Sequence, residues 1–355
     1  MCANRQITAR EGFCLNVFIT GGTGFIGSHL ARRLAAEGHT LRRLAAEGHT
    51  LRCLARETSR TDELRALGAE IVTAELHDRD ALARAMQGCD CFFHLANLYA
   101  MWHPRPQEFE QTNVEGTRCV MEAALQAGVG KVVYLSTVAV MGKPASRPFN
   151  EEALPGPRQF SAYGRSKAAG DRLVQQLYRE RGLPVVTLYP GIVLGPGDDK
   201  PSGIYIQDLI RGRVPTPIFR RSVETYASVQ DVAEAMLRAA ECPDSIGKRY
   251  LIGGERLDGM EYVRQICAAA GVRVPWMRLP DFIVISAAYL FTLRSNLTGN
   301  PPPWGLSVDA AWTLFHGFDF DGSRAARELD FSYTPVRQAL AEAVTWYRQR
   351  WGEEE

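Results

Sequence analysis

The stretch LNVFITGGTGFIG, residues 15–27, decides the fold: an apolar, β-branched run ends in a glycine-rich loop, and a helical pattern follows. Between a strand and a helix, Gly21 can make the tight turn, Gly24 lets the backbone approach a pyrophosphate, and Gly27 allows close helix packing. The helix N-terminus then offers backbone N–H groups to phosphates. A plain strand–helix turn needs one glycine rather than three. The loop therefore predicts a bound dinucleotide, with further contacts from Thr23, Phe25 and Ile26.

Outward from this loop, short apolar runs alternate with helical patterns. The alternation predicts a doubly wound parallel α/β sheet of the Rossmann type. We expect an N-terminal tail at 1–13, an NAD(P)-binding Rossmann domain at 14–190, and mainly a smaller C-terminal substrate lobe at 191–355, with a strand near 249–252 that returns to the main sheet. The predicted strands are Leu15–Thr20, Leu51–Arg56, Glu70–Ala74, Cys91–Leu95, Lys131–Ser136 and Pro184–Tyr189. Helices are predicted at Asp80–Gln87, Glu110–Ala127 and Pro335–Trp351.

A tandem decapeptide interrupts the first strand–helix–strand unit: RRLAAEGHTL at 32–41 recurs unchanged at 42–51. Ten additional helical residues would lengthen the helix by about 15 Å, which does not suit a crossover that must deliver the next strand into a fixed sheet. We expect one copy, roughly residues 38–47, to form an excursion near the helix end. Because the copies are identical, the sequence does not say which is displaced. We interpret the repeat as an accidental or engineered duplication rather than a functional insertion.

The duplication decides which residue meets the cofactor's ribose. An acid about 20 residues beyond the last glycine indicates NAD, and Glu47 lies there. Without one ten-residue copy, however, Arg56 moves from 29 to 19 residues beyond Gly27. A guanidinium at the end of the second strand, with Arg60 close behind, suits a 2′-phosphate. NADP(H) is thus favoured over NAD(H), unless both arginines are solvated loop charges.

The catalytic prediction starts from YGRSK, residues 163–167, which on a helix places Tyr163 and Lys167 one turn apart on one face. An ammonium nearby would favour the phenolate of a tyrosine and make it a usable acid/base. The strand at 131–136 leads to Thr137, whose hydroxyl could face a substrate oxygen, and Asn113 lies on the preceding helix. The alternative is two surface side chains on a helix.

Taken together, several segments resemble the extended short-chain dehydrogenase/reductase superfamily, which includes the NAD-dependent epimerases and dehydratases, over roughly residues 15–345. They are TGGTGFIG, FHLAN (93–97), NVEGT (113–117), YLSTVAVMG (134–142), YGRSK, PGIVLGPGD (190–198) and YASVQDVA (226–233). The resemblance implies Tyr163 as proton donor or acceptor, Lys167 on the nicotinamide ribose, Thr137 on the substrate oxygen and Asn113 in support. It also implies cofactor contacts at Glu75, Leu76, Leu95, Ala96, Asn97, Tyr189, Pro190 and Ile192, and it makes a homodimer an expected assembly.

Two residues that differ from those of the nucleotide-sugar enzymes in this superfamily help to predict the substrate. Ile192 and Glu224 replace an asparagine and an arginine that those enzymes direct at a sugar nucleotide, and a carboxylate beside a diphosphate is repulsive. Arg220 or Arg221 could compensate from another loop. The segment NLYAMWHPRP (97–106) looks more like the dihydroflavonol reductase and hydroxysteroid dehydrogenase branch, and also like hopanoid-associated sugar epimerases.

We therefore predict an NADP(H)-dependent enzyme that interconverts a carbonyl and an alcohol on a moderately apolar small molecule. Its substrate pocket would use Met101, Trp102, Thr137 and Tyr163, together with Phe282–Phe291, although that run could equally be core. Two alternatives stay open: a nucleotide-sugar epimerase or dehydratase with tightly bound NAD(P), and a non-catalytic NADP(H)-binding regulator.

Charge, cysteine spacing and the length of apolar runs argue against several other classes of protein. The formal net charge of +1 gives no sign of a nucleic-acid partner or of a protein drawn to anionic membranes. The eight cysteines show no metal-ligand or disulfide spacing, so we expect no metal. No secretory signal begins the sequence, and the apolar run at 282–291 is only about half of the ~20 residues that span a bilayer. We expect a cytoplasmic protein without an integral membrane segment.

Overall fold

A computed structural model describes residues 16–36, 51–214 and 216–354. The tail at 1–13 and the excursion expected at 38–47 lie outside the described residues. Ten strands are defined in the described part: β1 Val17–Thr20, β2 Leu51–Ala55, β3 Glu70–Thr73, β4 Cys91–His94, β5 Lys131–Leu135, β6 Val185–Pro190, β7 Ile192–Leu194, β8 Val223–Ser228, β9 Arg249–Ile252 and β10 Glu255–Asp258.

Seven of these strands form one parallel sheet in the order β3-β2-β1-β4-β5-β6-β9. The order runs outward in both directions from β1 and β4, which makes their carboxyl ends a topological switch point, where ligands of such folds bind. In the β1–β2 pair Val17 is opposite Leu51 and Thr20 is opposite Leu54. The predicted doubly wound Rossmann-type fold is confirmed. The strand near 249–252 is β9, at the edge of this sheet.

Helices cover both faces of the main sheet, and further helices lie beyond it. They are α1 Phe25–Ala36, α2 Asp62–Ala66, α3 Arg79–Ala85, α4 Gln107–Glu110, α5 Thr117–Ala127, α6 Ala162–Arg181, α7 Pro201–Ile210, α8 Val229–Glu241, α9 Gly259–Ala270, α10 Asp281–Thr298, α11 Val308–His316, α12 Ser323–Glu328 and α13 Val336–Glu354. A π-helical segment, Gln111–Gly116, joins α4 to α5, and short 3₁₀ segments occur at Val138–Met141, Pro243–Ser245 and Pro303–Gly305.

The strands are apolar almost throughout because both faces of the sheet are buried. Successive side chains point to opposite faces, so Phe18 and Phe92 pack with α3, α5 and α6, while Ile19 and Phe93 pack with α1 and α8. All four are fully buried. Each such side chain contributes about 1.5–3 kcal/mol relative to an exposed one.

A smaller sheet, β10-β8-β7, lies beside the carboxyl end of the main sheet. It packs with α7, α9 and the terminal helix α13 around its own apolar cluster. The helices α10 and α11 contact each other and form a further small cluster with Phe219. Within the described ranges, no helix is long and apolar enough to cross a membrane.

Candidate active site

The glycine loop after β1 is shaped as a cradle for a phosphate-bearing ligand. Gly21 has φ +76°, and a Cβ there would lie 2.7 Å from the backbone nitrogen of Ala96 in the loop after β4. A Cβ on Gly27 would lie 2.1 Å from the carbonyl oxygen of Gly21. The Gly24 N–H donates to that carbonyl at 3.0 Å. Side chains are thus excluded at Gly21, where the loop meets the backbone after β4, and at Gly27, where α1 meets the loop. Binding of a pyrophosphate by this loop stays a prediction.

A cavity of about 1050 Å³ runs from this loop past the carboxyl ends of the main strands. Most of the predicted cofactor contacts line it: Gly21, Thr23, Gly24, Phe25, Ile26, Gly27, Arg56, Glu75, Leu76, Leu95, Ala96, Asn97, Pro190 and Ile192. Three do not lie on its wall: Arg60, Lys167 and Tyr189. Arg60 is exposed, whereas Lys167 and Tyr189 are buried behind the wall.

Arg56 directly follows β2, so its side chain lies at the same sheet edge as the glycine loop. Its backbone N–H donates to Ser59 Oγ at 3.2 Å, and the Ser59 N–H donates to the Arg56 carbonyl at 2.9 Å. This turn places an exposed guanidinium and a hydroxyl side by side on the cavity wall. Ser59 was not among the residues predicted to bind the cofactor. Its position three residues after Arg56, in the turn-forming RETS run, is a signal that could have found it.

Tyr163 is positioned by the first turn of α6. Ser161 caps this helix, with its Oγ accepting from the Gly164 N–H at 3.0 Å. The Tyr163 ring is buried, lines the cavity and meets the edge of Tyr99 with ring centroids 4.9 Å apart. Burial, followed by Tyr99, raises the pKa of Tyr163, while a side-chain hydrogen bond with Thr137 opposes the rise. The phenol is therefore protonated at neutral pH, because its surroundings stabilise the neutral form.

Lys167 lies one turn further along α6 and is fully buried. Its Nζ donates to the Tyr134 hydroxyl and to the Leu135 carbonyl, both at 3.2 Å. Burial lowers the pKa of Lys167 to about 8, and the nearby Asp171 carboxylate opposes that change. Asp171 in turn accepts from the Tyr189 hydroxyl at 2.9 Å. Both Lys167 and Tyr189 thus belong to a polar network behind the cavity wall.

Asn113 is fully buried in the π-helical segment and bridges two parts of the site. Its Oδ1 accepts from the Leu98 N–H at 2.7 Å, and its Nδ2 donates to the Leu98 carbonyl at 3.0 Å and to Ser166 Oγ at 2.9 Å. Ser166 Oγ donates to the Tyr163 carbonyl at 2.9 Å. Asn113 therefore ties the loop after β4 to the helix that carries Tyr163. The supporting role of Asn113 in catalysis stays a prediction.

Beyond Tyr163 the cavity becomes apolar. Met101 and Thr137 line it as predicted, but Trp102 does not, because its Nε1 donates to Asn296 Oδ1 at 2.9 Å on the outside. The run 282–291, predicted to line the pocket, falls in α10, and only part of it lines the cavity. Phe282 is 69% exposed and lies outside the cavity. The apolar lining in this part includes Val214, Ile218, Phe219, Leu279, Ile283, Val284, Phe291, Leu306, Leu314 and Phe318.

Two buried carboxyls also line the cavity, and neither was predicted as a site residue. Glu224, on β8, accepts from the Phe318 N–H at 2.8 Å, and burial raises its pKa to about 8. Asp198 accepts from Ser202 Oγ at 2.6 Å and from the Lys200 N–H at 2.9 Å, and burial raises its pKa to about 6. A carboxyl with a raised pKa in a cavity is typical of functional sites. The sequence shows the residues but not their burial.

Comparison with known proteins decides the family. The model of the NAD-dependent epimerase/dehydratase family matches residues 17–253, which hold the glycine loop, Thr137 and Tyr163. The chain belongs to this family. Its members are extended short-chain dehydrogenases/reductases, and the chain is accordingly an NAD(P)-dependent enzyme of that type.

Relatives of this epimerase/dehydratase chain carry names from two kinds of chemistry. A Synechocystis sp. protein named as a dihydroflavonol 4-reductase is 28% identical over 93% of this chain and 94% of its own length. Sterol demethylase protein B of Methylococcus capsulatus is 29% identical over 95% and 99%. A solved structure of a nucleoside-diphosphate-sugar epimerase from Pseudomonas aeruginosa superimposes with a TM-score of 0.73 at 26% identity, covering 95% of this chain and 98% of that one. The match to the family model establishes the family, but the substrate has to be inferred from the residues that line the cavity.

Proposed function

We propose that the protein is an NADP(H)-dependent oxidoreductase that interconverts a ketone or aldehyde and the corresponding alcohol on a moderately apolar molecule. One observation carries the proposal: the cavity beyond Tyr163 is walled by aliphatic and aromatic side chains, with the buried Glu224 among them. A diphosphate there would exchange its hydration for apolar side chains and for Glu224, which burial keeps protonated at neutral pH and which supplies no positive charge. Among the described residues that line the cavity, the arginine and lysine side chains are Arg56 and Lys200, and Lys200 Nζ lies 3.0 Å from the Asp199 carboxylate. Neither Arg220 nor Arg221 is part of the wall.

The residues around Tyr163 suit proton donation to a carbonyl oxygen. When bound, the nicotinamide cofactor supplies the hydride. A protonated phenol is the form that a donor requires, and burial keeps Tyr163 in this form. Thr137, which shares a hydrogen bond with Tyr163, can hold the same substrate oxygen. Lys167 supports the arrangement from behind the wall by fixing the end of β5 at Leu135.

A preference for NADP(H) rests on Arg56 and Ser59. A guanidinium and a hydroxyl together can bind a terminal 2′-phosphate, and the wall they occupy also holds the glycine loop. An NAD-specific site would offer a carboxylate for the ribose hydroxyl instead. Glu75 is a carboxylate on the same wall, at the position that the family resemblance implies for the adenine.

Two measurements test this proposal. Equilibrium fluorescence titration with NADPH and NADH should show tighter binding of NADPH, and a screen of apolar ketones should show net consumption of NADPH. Tyr163→Phe should lower kcat by about 10²–10⁴-fold, the usual contribution of a general acid, while the affinity for NADPH is retained. Tyr178→Phe, on the same helix but outside the cavity wall, is the matched control.

A nucleotide-sugar epimerase or dehydratase is the second candidate, favoured by the likeness to the Pseudomonas aeruginosa enzyme. It regenerates its cofactor in each cycle, so it consumes no NADPH. Saturable binding of UDP-sugars without turnover of apolar ketones would refute the reductase proposal in its favour. Retention of full activity by Tyr163→Phe would instead refute the proposed mechanism. A cytoplasmic location and a homodimer remain part of our proposal, to be tested by fractionation and by sedimentation.

A further inference from the structure

The outward face of α10 carries a stripe of exposed apolar side chains. Phe282, Tyr289, Leu290, Leu293 and Leu297 are 69%, 54%, 67%, 58% and 79% exposed. At 3.6 residues per turn these five positions fall within an arc of about 100° and therefore share one side of the helix. The buried residues of α10, Val284, Ala288 and Ser295, lie on the opposite side. A surface helix of a water-exposed protein normally shows the reverse pattern. We call this stripe, together with Trp304, the outer apolar face.

Three polar side chains on and around this face have hydrogen-bond partners within the protein. Ser286 falls inside the stripe, and its hydroxyl donates to the Phe282 carbonyl at 2.8 Å. Thr298 Oγ1 donates to the Arg294 carbonyl at 2.9 Å, and the Asn296 side chain accepts from Trp102. A face whose polar side chains already have partners loses little when water is removed. The outer apolar face is therefore suited to an apolar environment.

The outer apolar face is continuous with the mouth of the substrate cavity. Trp304 is 63% exposed, lines the cavity, and packs on Phe291 of α10 with ring centroids 6.0 Å apart. Ile283 likewise is 40% exposed and lines the cavity. Residues that belong both to the wall and to the surface mark where the cavity opens. One opening of the cavity thus lies at the edge of the apolar stripe, and another lies at the cofactor end, where the exposed Arg56 is on the wall.

The charges on α10 and on the segments that flank it in the sequence have one prevailing sign. Between residues 271 and 305 the sequence has three cations, Arg273, Arg278 and Arg294, and one anion, Asp281, which gives 3 − 1 = +2. All three arginines are exposed. Cations bordering an apolar helix complement anionic phospholipid headgroups. They also repel one another in a face-to-face pairing of two copies, which argues against a second copy as the occupant.

We propose that the outer apolar face docks onto the surface of a bilayer that contains anionic phospholipid, with α10 lying in the plane of the interface. Phe282 to Leu297 span about 22 Å along the helix axis, and this length lies on the bilayer rather than across it. The excess of arginines beside this face is local, so the net charge of the whole chain does not reveal it. Docking places the cavity mouth against the lipid, so that an apolar substrate can enter without crossing water. This delivery step rests on the proposed function, whereas docking itself does not.

The test is flotation of the purified full chain with vesicles of phosphatidylcholine alone and of equal parts phosphatidylcholine and phosphatidylglycerol. The wild type should float with the anionic vesicles and be released by high salt. Leu290→Asp and Leu293→Asp should each weaken this binding about tenfold or more, since each removes the burial of a leucine. Arg294→Glu should weaken it and reduce its salt dependence. Leu154→Asp is the matched control, because Leu154 is 83% exposed but lies outside the face.

Absence of wild-type binding to either vesicle, or equal binding by Leu290→Asp and Leu154→Asp, would overturn the proposal. A wild-type dimer that Leu290→Asp converts to a monomer, with no vesicle binding by either, would assign the face to a second copy and also overturn it. Unchanged melting temperatures of the variants exclude misfolding as the cause. NADPH titration of the same samples separates this result from the proposed function: vesicle binding can persist even if no ketone is reduced.

Discussion

Replacement of Glu224 by glutamine should stabilise the protein, and by an amount that depends on pH. The carboxyl is buried, and burial raises its pKa from 4.5 to about 8. Below pH 4.5 it is neutral in both the folded and the unfolded chain, so it has no effect on stability. Between pH 4.5 and 8 the unfolded chain releases its proton first, and stability falls as pH rises. Above pH 8 the cost of the buried charge is complete.

The size of this stabilisation at a given pH follows from how far that pH lies above 4.5, the pKa of the carboxyl in the unfolded chain. At pH 7 the pKa difference is expressed over 2.5 pH units, which at about 1.36 kcal/mol per unit corresponds to about 3 kcal/mol. A glutamine is neutral at every pH and keeps a carbonyl oxygen for the Phe318 N–H. With an unfolding entropy of about 2.1 cal/mol/K per residue, 3 kcal/mol in this 355-residue chain raises Tm by about 4 °C.

Thermal unfolding of the wild type and of Glu224→Gln, followed by circular dichroism at pH 4.5, 7 and 8.5, measures the effect. The difference in Tm should be near zero at pH 4.5 and should grow with pH. Glu110→Gln, which changes an exposed carboxylate, should show no such trend. A Tm difference for Glu224→Gln that is constant across this range would refute the assignment of Glu224 as a buried, neutral carboxyl.

Three further changes test other parts of the site. The rate kcat should fall as pH rises through about 8, because the pKa of Lys167 is lowered to about 8 and its ammonium is lost above that pH. A kcat that stays constant up to pH 10 would contradict this. The same fall in Glu224→Gln would exclude Glu224, whose pKa is also about 8, as its cause. Arg56→Ala should weaken NADPH binding about tenfold or more by loss of a charge-assisted contact, with NADH binding unchanged in the same titration; equal losses for both cofactors would contradict the 2′-phosphate role. Gly27→Ala should abolish binding of either cofactor, since its Cβ would lie 2.1 Å from a carbonyl oxygen; isothermal titration that finds unaltered affinity would show that the loop yields.

The fold and the cofactor end of the site were predictable because they depend on local patterns. Runs such as 91–95 and 131–136 are apolar throughout, and a strand buried on both faces needs such a run. The glycine loop specifies backbone geometry directly, since Gly21 and Gly27 leave no room for a side chain. Arg56 reached the cavity wall because the β1–β2 register fixes where β2 ends, whatever lies between the strands.

The substrate end was less predictable because it depends on packing between distant segments. Trp102 points outward because Asn296, far along the chain, accepts its N–H. The apolar run of α10 could not be divided into wall and surface without knowing which side α11 covers. Glu224 illustrates the same limit: the sequence shows a carboxylate, but its burial follows from the segment that supplies Phe318.

The link made by Asn113 has a consequence for how the enzyme can change over evolutionary time. The hydrogen bonds that Asn113 makes to the loop after β4 go to the backbone N–H and carbonyl of Leu98. The loop beyond Leu98, which carries Met101 into the cavity, is therefore tied to the catalytic helix through its backbone. Tyr99 is an exception, because its ring packs on Tyr163. Substitutions at Met101 can select a new substrate while the acid/base machinery stays in register. Specificity and chemistry are thus separable traits in this chain.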